Sequence, residues 1–576
     1  MNLNKKFLTA FWRLFNGYWK SGEKKQARLL LATVVGLNFA LVYLLVQINA
    51  WYNEFYNSLQ AYKWELFWPL IGKFAALAFI HIAIAVYAIY LRQLLQLRWR
   101  TWMTNEYLAS WLKDGAYYRL KLYDSDMDNP DQRIQEDINQ FVNITLQLLL
   151  GFLKQLTTLG AFGVVLWNLS GALDIPLSGA TFQLPGYMLW FSLLYSITGT
   201  VLAHKVGRRL ISLNFDQQRY EADFRFSMTR VRENSESVAF YNGEAAEGLT
   251  FADRYRLVVE NFRRLMTQTK LLNFYSNGYA QLAVIVPIIM CAPRYFGGSM
   301  QLGGLMQTIS AFGRVQDALS YFVDAYDGIA QLVAVTYRLT SFTDHLETVS
   351  AAAPALRQEA PPADSPDELA VRQVSVALPD GGILLQNLSF TLSRGRRLLI
   401  TGGSGSGKST LLRSLAGLWP YSSGQISWPP ADRLMFLPQR PYLPLGTLRQ
   451  AIFYPSTVEG KKDIDETALR RLMELTELSY FIDRLDVTDD WSRIMSLGEQ
   501  QRVAFLRVLI ARPQWAFLDE ATSALDEPRE ERLYALLKEQ LPDMGLISVG
   551  HRSTLFAIHD RELHLIGDGS CTCREL

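Results

Sequence analysis

A multidomain membrane protein, with a six-helix all-α transmembrane domain ahead of an α/β domain built round a phosphate-binding loop, is expected from two observations. Apolar runs long enough to cross a bilayer fall before residue 345, and they hold most of the excess in a chain that is 49% hydrophobic. Further on, Gly402-Gly403-Ser404-Gly405-Ser406-Gly407-Lys408-Ser409 follows a strand-like apolar stretch and opens a helix-like one.

The elements follow in chain order. Leu3, Phe7, Ala10, Phe11, Leu14, Phe15 and Tyr18 share one helical face, with Lys5, Lys6, Arg13 and Lys20 among the remaining positions. This predicts an interfacial helix lying on the lipid surface, the alternative being a helix packed on protein. Residues 29–46 form an uncharged run of 18 residues, and further apolar spans at 66–91, 144–169, 184–202, 271–292 and 302–335 bring the crossings to six. An even number returns the chain to its starting side.

Charge predicts which side that is. Lys and Arg number 7 in residues 1–28, 7 in 92–143 and 12 in 203–270, whereas the opposite connections hold only Lys63 and Arg294. The asymmetry places the N-terminus, both long loops and the second domain in the cytoplasm. The loops exceed what a connection needs, and their charged helical patterns predict membrane helices that continue into water and reach the second domain. Residues 346–368, with Ala351-Ala352-Ala353-Pro354 and Pro361-Pro362-Ala363-Asp364, break periodicity and mark a linker, so the domains run 1–345 and 369–576. The three cysteines support neither a disulfide framework nor a metal cluster, and a net charge of +2 gives no reason to propose nucleic acid.

In the second domain, Gly402, Gly403, Ser404, Gly405, Ser406 and Gly407 would turn backbone N–H groups toward one anion. Lys408 would reach the terminal phosphates and Ser409, beside Thr410, would offer a hydroxyl to Mg2+. A nucleoside triphosphate is the expected ligand. The apolar run Trp515-Ala516-Phe517-Leu518 ends in Asp519-Glu520. There Asp519 would hold Mg2+, and Glu520 would orient and deprotonate the attacking water.

Between and after these motifs come Gln439, Met495-Ser496-Leu497-Gly498-Glu499-Gln500-Gln501-Arg502, Ser523-Ala524-Leu525-Asp526 and His551. With all of them in order, residues 369–576 resemble the nucleotide-binding domain of ABC transporters. The resemblance implies ATP and Mg2+ as ligands. It makes Gln439 the loop glutamine that senses Mg2+ and water, His551 the switch histidine at the γ-phosphate, and Asp526 part of a loop crossing a dimer interface. Ser496, Gly498 and Glu499 become the signature motif, with a helix N-terminus toward the γ-phosphate. Leu497 and Glu499 depart from the common Ser-Gly-Gly-Gln form, as in some active relatives. No aromatic precedes Pro379 to stack on adenine, so Leu378 is left to cover the base by apolar contact.

Asn129-Pro130-Asp131-Gln132-Arg133-Ile134, together with residues 221–226 and 232–237, resembles bacterial SbmA/BacA-like transporters and the peroxisomal ABCD half-transporters. The membrane domain is then of the type IV exporter-like kind. Because the chain has one phosphate loop and one signature, and such sites are shared between domains, a homodimer with two equivalent sites is implied. The function expected is ATP-driven transport of a hydrophilic, peptide-like or cobalamin-like substrate. Transport of fatty acyl derivatives and an ATP-gated regulator without transport are the alternatives. Arg314, Asp317, Asp324 and Asp327 in the sixth span, with Lys73, His81 and Lys154 in the second and third, predict a polar cavity.

Overall fold

The computed structural model describes residues 5–123, 129–177, 180–351, 356–359, 368–428, 433–456 and 465–576. They fall into two compact units, Met1–Ser110 with Asp128–Asp344, and Trp111–Met127 with His345–Leu576.

The first unit is built from α1 (Lys5–Lys20), α2 (Lys24–Gln60), α3 (Trp64–Leu112), α4 (Ile138–Ser170), α5 (Tyr187–Glu233), α6 (Glu244–Phe296) and α7 (Leu302–Ala351). The six expected spans fall in α2 to α7. Four helices among the described residues are long and apolar enough to cross a membrane, within Lys24–Gln60, Trp64–Leu122, Pro130–Ser170 and Glu244–Phe296. In α5 and α7 the apolar residues are interleaved with Ser, Thr, Tyr and Gly, and in α7 also with Arg314 and Asp317. All six helices outrun the spans. The 47 residues of α5 make a rod of about 70 Å, more than twice the ~30 Å hydrocarbon thickness.

Packing of α5 on α6 depends on a tyrosine pair. The rings of Tyr195 and Tyr279 stack at 4.4 Å, and each hydroxyl donates to the other's backbone carbonyl, at 2.6 and 3.1 Å. A Cβ at Gly199 would lie 2.3 Å from the Tyr279 ring, so this approach needs glycine there. Charge within the helices is compensated at Asp137, which is buried and accepts from Arg338 Nε and Nη2 at 2.8 and 2.6 Å and from Arg133 Nη1 at 2.8 Å.

Two expectations are corrected here. The apolar face of α1 packs on protein rather than lipid: Phe7, Ala10, Leu14 and Tyr18 are buried, Tyr18 stacks on Trp99 at 5.7 Å, and Phe11 meets Phe141. Only Leu8 and Trp12 remain as large exposed apolar groups on that helix. In addition, the stretch taken as linker is partly regular. Helix α7 continues to Ala351, holding Leu346 and Val349 buried, and Arg357–Glu359 forms a strand. The connection at 170–183 holds an antiparallel hairpin of β1 (Ala172–Leu177) and β2 (Ala180–Pro185).

In the second unit β3 (Arg357–Glu359), β4 (Glu368–Ala377), β5 (Ile383–Ser393) and β7 (Ser422–Ser427) form one sheet, in the order β3-β7-β4-β5. The other sheet is formed by β6 (Arg397–Gly402), β8 (Leu434–Leu437), β9 (Trp515–Asp519), β10 (Gly545–Val549), β11 (Arg561–Leu565) and β12 (Cys571–Glu575). Its order is β12-β11-β6-β10-β9-β8, parallel throughout except for β12. Strands covered on both faces need continuous apolar runs. Leu398 to Ile400 and Trp515 to Leu518 supply them, all at most 1% exposed. Helices α8 (Lys408–Leu415), α9 (Leu497–Ala511) and α10 (Glu527–Gln540) complete the frame used below. A short helix, Ala116–Tyr123, belongs to this unit, with Leu122 against the sheet core.

A buried histidine predicts acid sensitivity of this unit. His559 is 5% exposed, donates from Nδ1 to the Leu555 carbonyl at 2.8 Å and meets Tyr534 edge-on. Burial holds its imidazole down to about 4. The unfolded chain takes up that proton near pH ~6.5 and the folded one does not, so stability is complete above that pH and falls by about 1.4 kcal/mol per pH unit down toward the folded value. The melting temperature should drop between pH 7.5 and 5.5, and His559→Phe should flatten the drop. An equal drop in both proteins would exclude His559 as its source.

Candidate active site

The parallel sheet delivers three loops to one edge. The loop after β6 leads into α8, β9 ends at Asp519 with Glu520 next, and β10 leads to His551. Ligands in such sheets bind beyond the carboxyl ends of the strands.

The phosphate loop has the backbone that its glycines predict. Gly402, Gly405 and Gly407 adopt φ of 145°, 83° and 93°, and a Cβ at Gly402 would meet the Leu565 carbonyl at 2.5 Å. Only glycine fits there. Lys408 Nζ donates to the carbonyls of Gly402 and Gly403 at 2.9 and 2.8 Å. The Ser406 hydroxyl is buried with no partner among the described residues. A cavity of about 710 Å³ opens over the loop, lined by Gly402, Ser404, Gly405, Gly407, Lys408, Ser409 and Thr410 together with Gln439, Glu520, His551, Leu378 and Leu384. Residues separated by about 150 positions in the chain thus share one chamber. Leu378 lines it as expected, and Leu384, which the sequence did not single out, adds a second apolar wall.

Asp519 does not line the cavity itself and reaches it through the Ser409 hydroxyl. Ser409 Oγ donates to Asp519 Oδ1 at 2.8 Å. Burial raises the Asp519 carboxyl; the Ser409 hydroxyl opposes this, the charge of Glu520 adds to it, and the result lies above the ordinary carboxylate range. Gln439 Nε2 donates to Glu520 Oε2 at 3.0 Å. Glu520 itself stands at φ 47°, a left-handed backbone that costs a non-glycine residue roughly 1–2 kcal/mol, and its N–H donates to the Val549 carbonyl. An oxygen-preferring divalent cation fits this donor set. Mg2+ takes one or two carboxylates plus phosphate oxygens rather than a protein cage, and no group of three His, Cys, Asp or Glu able to hold a metal occurs among the described residues.

The signature residues do not line this cavity. Ser496 caps α9 in a reciprocal box, its N–H and hydroxyl donating to Glu499 Oε2 at 2.7 and 2.8 Å. Tyr480 donates to the other oxygen. Burial pushes the Glu499 carboxyl up, and these hydrogen bonds outweigh it and hold the group below its usual range. Gly498 sits 3.2 Å, measured from an added Cβ, from the Ala524 carbonyl, so the helix start lies close against the loop before Asp526. Asp526 caps α10, accepting from Arg529 N at 3.1 Å.

Sequence reasoning missed the residue that ties these loops together. Gln501 is fully buried, donates to the Gln439 carbonyl and to Ser523 Oγ at 3.1 Å each, and accepts from Ala524 N at 3.0 Å. An amide satisfied on both ends fixes two loops at once, the one that carries Gln439 and the one that carries Ser523 and Ala524. Its place five residues after Ser496 was visible, but its inward direction was not. Arg552, beside His551, likewise donates to the Leu525 carbonyl at 2.7 Å.

A glycine cradle, a lysine, a hydroxyl–carboxylate pair and a second carboxylate define a phosphate-loop ATPase. Residues 14–296 match the family ABC transporter transmembrane region 2, and residues 385–523 match the family ABC transporter. The chain is 35% identical to the inner membrane ABC transporter ATP-binding protein YddA of Escherichia coli (strain K12), covering 95% of each. It is 28% identical to the lysosomal cobalamin transporter ABCD4 of Homo sapiens, over 98% of this chain and 96% of that one. Its fold matches that of a bacterial Atm1-family ABC exporter with ATP bound, at a TM-score of 0.72 and 17% identity, covering 94% of each chain. The chain belongs to the ABC transporters, a membrane-embedded half-transporter whose ATPase is fused to its membrane region. It is an ATP-binding protein that couples hydrolysis to transport.

Proposed function

We propose that two copies of this chain assemble as a homodimer that uses two shared ATP sites to move a hydrophilic cargo across a cell inner membrane. One observation carries the shared-site reading. The cavity holding the phosphate loop, Gln439, Glu520 and His551 is not lined by Ser496, Gly498 or Asp526. A two-fold partner would bring its signature to each cavity, and symmetry makes the two sites equivalent. Mg2+, held by Ser409 and Asp519 and sensed by Gln439, would neutralise charge on the phosphates. Lys408 would turn from the loop carbonyls to the terminal phosphates, and the loop N–H groups would hold the remaining oxygens. Glu520 takes the proton of the attacking water, and Gln439, already hydrogen-bonded to it, orients that carboxylate. His551 contacts the γ-phosphate from the cavity wall. ATP favours the closed pair, and hydrolysis removes that preference.

The basic loops support an orientation with the ATPase in the cytoplasm. A hydrophilic cargo, peptide-like or cobalamin-like, is favoured over fatty acyl derivatives by a cavity in the membrane unit with amide and cationic walls. The cobalamin named for the human relative agrees with it. In sealed proteoliposomes, ATP should drive movement of a peptide or of cobalamin in one direction and not of an acyl derivative. Brisk hydrolysis with no movement of any cargo in either direction would overturn transport in favour of an ATP-gated regulator.

A further inference from the structure

Inside the membrane unit, α2, α3, α4 and α7 enclose a cavity of about 490 Å³. Its polar lining consists of Asn38, Arg92, Gln147, Lys154, Gln155 and Tyr321, and among the described residues no acidic one lines it. Of the charges expected to shape such a cavity, Lys154 lines it, whereas Lys73, His81, Arg314, Asp317 and Asp327 do not, and the Asp324 side chain lies outside the described residues. Arg92, which the sequence placed at the start of a cytoplasmic loop, takes that role.

Cations at membrane depth are costly unless paired or wet. Some other cations of this unit are paired: Lys73 meets Glu54 at 2.6 Å, and Arg133 and Arg338 meet Asp137. Among the described residues, neither Arg92 nor Lys154 has a carboxylate partner, and Arg92 Nε is buried without a hydrogen bond. A planar guanidinium and an ammonium beside amide donors match the oxygens of a carboxylate or phosphate. The apolar remainder of the wall, including Val34, Leu41 and Leu150, suits the body of such a molecule.

We propose that this cavity is an oxyanion subsite, in which Arg92 and Lys154 hold a carboxylate or phosphate monoester carried by the transported molecule. The subsite rests on the transport reading and specifies the head group of its cargo. The oxyanion could arrive on a water-soluble cargo or on a lipid, and the test separates these.

The full-length protein in phosphatidylcholine nanodiscs is titrated with two matched pairs. The soluble pair is phenyl phosphate and phenol; the amphiphilic pair is dodecyl phosphate and dodecanol. Each anion is scored against its neutral counterpart by the rise in melting temperature and in ATPase rate. At least one anion should act saturably where its neutral counterpart does not, the soluble one if the cargo comes from water and only the amphiphile if it comes from the bilayer. The variant R92Q/K154Q should weaken that apparent affinity about tenfold or more, the loss expected from one or two charge-assisted hydrogen bonds. R92K/K154R should retain it, and basal ATPase should be unchanged in both. Without anion, R92Q/K154Q should melt no lower than the parent, because two uncompensated charges are removed. A lower melting temperature with an unaltered anion response would mark a structural role and overturn the subsite. If the double variant does not fold, K154Q alone carries the same comparison.

Anions indistinguishable from their neutral counterparts would also overturn it. ATP-driven cargo movement that R92Q/K154Q leaves intact sinks the subsite and spares the transport reading. Saturable anion binding, lost in R92Q/K154Q, in a protein that moves nothing does the reverse.

Discussion

Glu520→Gln should leave ATP binding intact and slow hydrolysis about a hundred- to ten-thousandfold, the range associated with a positioned general base. The amide keeps the length and planarity of the carboxylate, and its oxygen can still accept from Gln439 Nε2, now 3.0 Å from Glu520 Oε2. The left-handed backbone at 520 and its N–H bond to Val549 involve no side-chain charge. What is lost is the group that takes the proton from water. With binding retained and hydrolysis blocked, ATP should hold the dimer closed, which cross-linking between protomers and retention of labelled nucleotide through gel filtration would register. Near-normal turnover by purified Glu520→Gln protein would remove Glu520 as the base and direct attention to His551, which lines the same cavity.

The motifs of this site were legible because their chemistry is local. Glycines at 402, 405 and 407 announce a backbone that other residues cannot adopt, and the run from Trp515 to Leu518 announces a strand whose end must carry Asp519 to the sheet edge. Helices α2, α3 and α6 were legible for a similar reason, since an apolar run of bilayer length has few other uses. Directional information was not legible. Amphipathic periodicity in α1 shows that one face is buried but not against what, and in the structure Trp99 and Phe141 occupy the place assigned to lipid. Gln501 and Arg92 were missed likewise. A glutamine on a helix or an arginine at a span end is ordinary in composition, and only the fold turns the first onto two loops and the second into a cavity.

Glu499 shows the same limit within a motif. As a letter it departs from the family's glutamine; as a side chain it closes a capping box, accepting the Ser496 N–H as a glutamine oxygen would. The substitution therefore preserves the helix start. Its carboxylate also holds the Ser496 hydroxyl at 2.8 Å, so a phosphate approaching that hydroxyl must compete with a fixed negative charge.

That geometry sets up mixed dimers as the sharpest test of the shared sites. Lys408→Ala removes the cation of the phosphate loop, whereas Ser496→Arg places bulk at an exposed helix start outside its own cavity. In a dimer with both changes in one protomer, that protomer's loop spoils one composite site and its signature spoils the other, so neither site is whole. With one change in each protomer, both lesions fall in a single site and the other is untouched. The second arrangement should keep about half of the nucleotide trapping of the unmodified dimer, as one of two symmetric sites survives, and the first should keep almost none. Tandem purification on two different tags isolates each mixed species, and trapping of a photoreactive ATP analogue counts the working sites. Site ownership by a single chain predicts the opposite order: both changes in one protomer would leave the partner's site whole, and splitting them would damage both. The ranking of the two dimers, rather than the size of either signal, therefore decides whether this chain completes its ATPase alone or only in a pair.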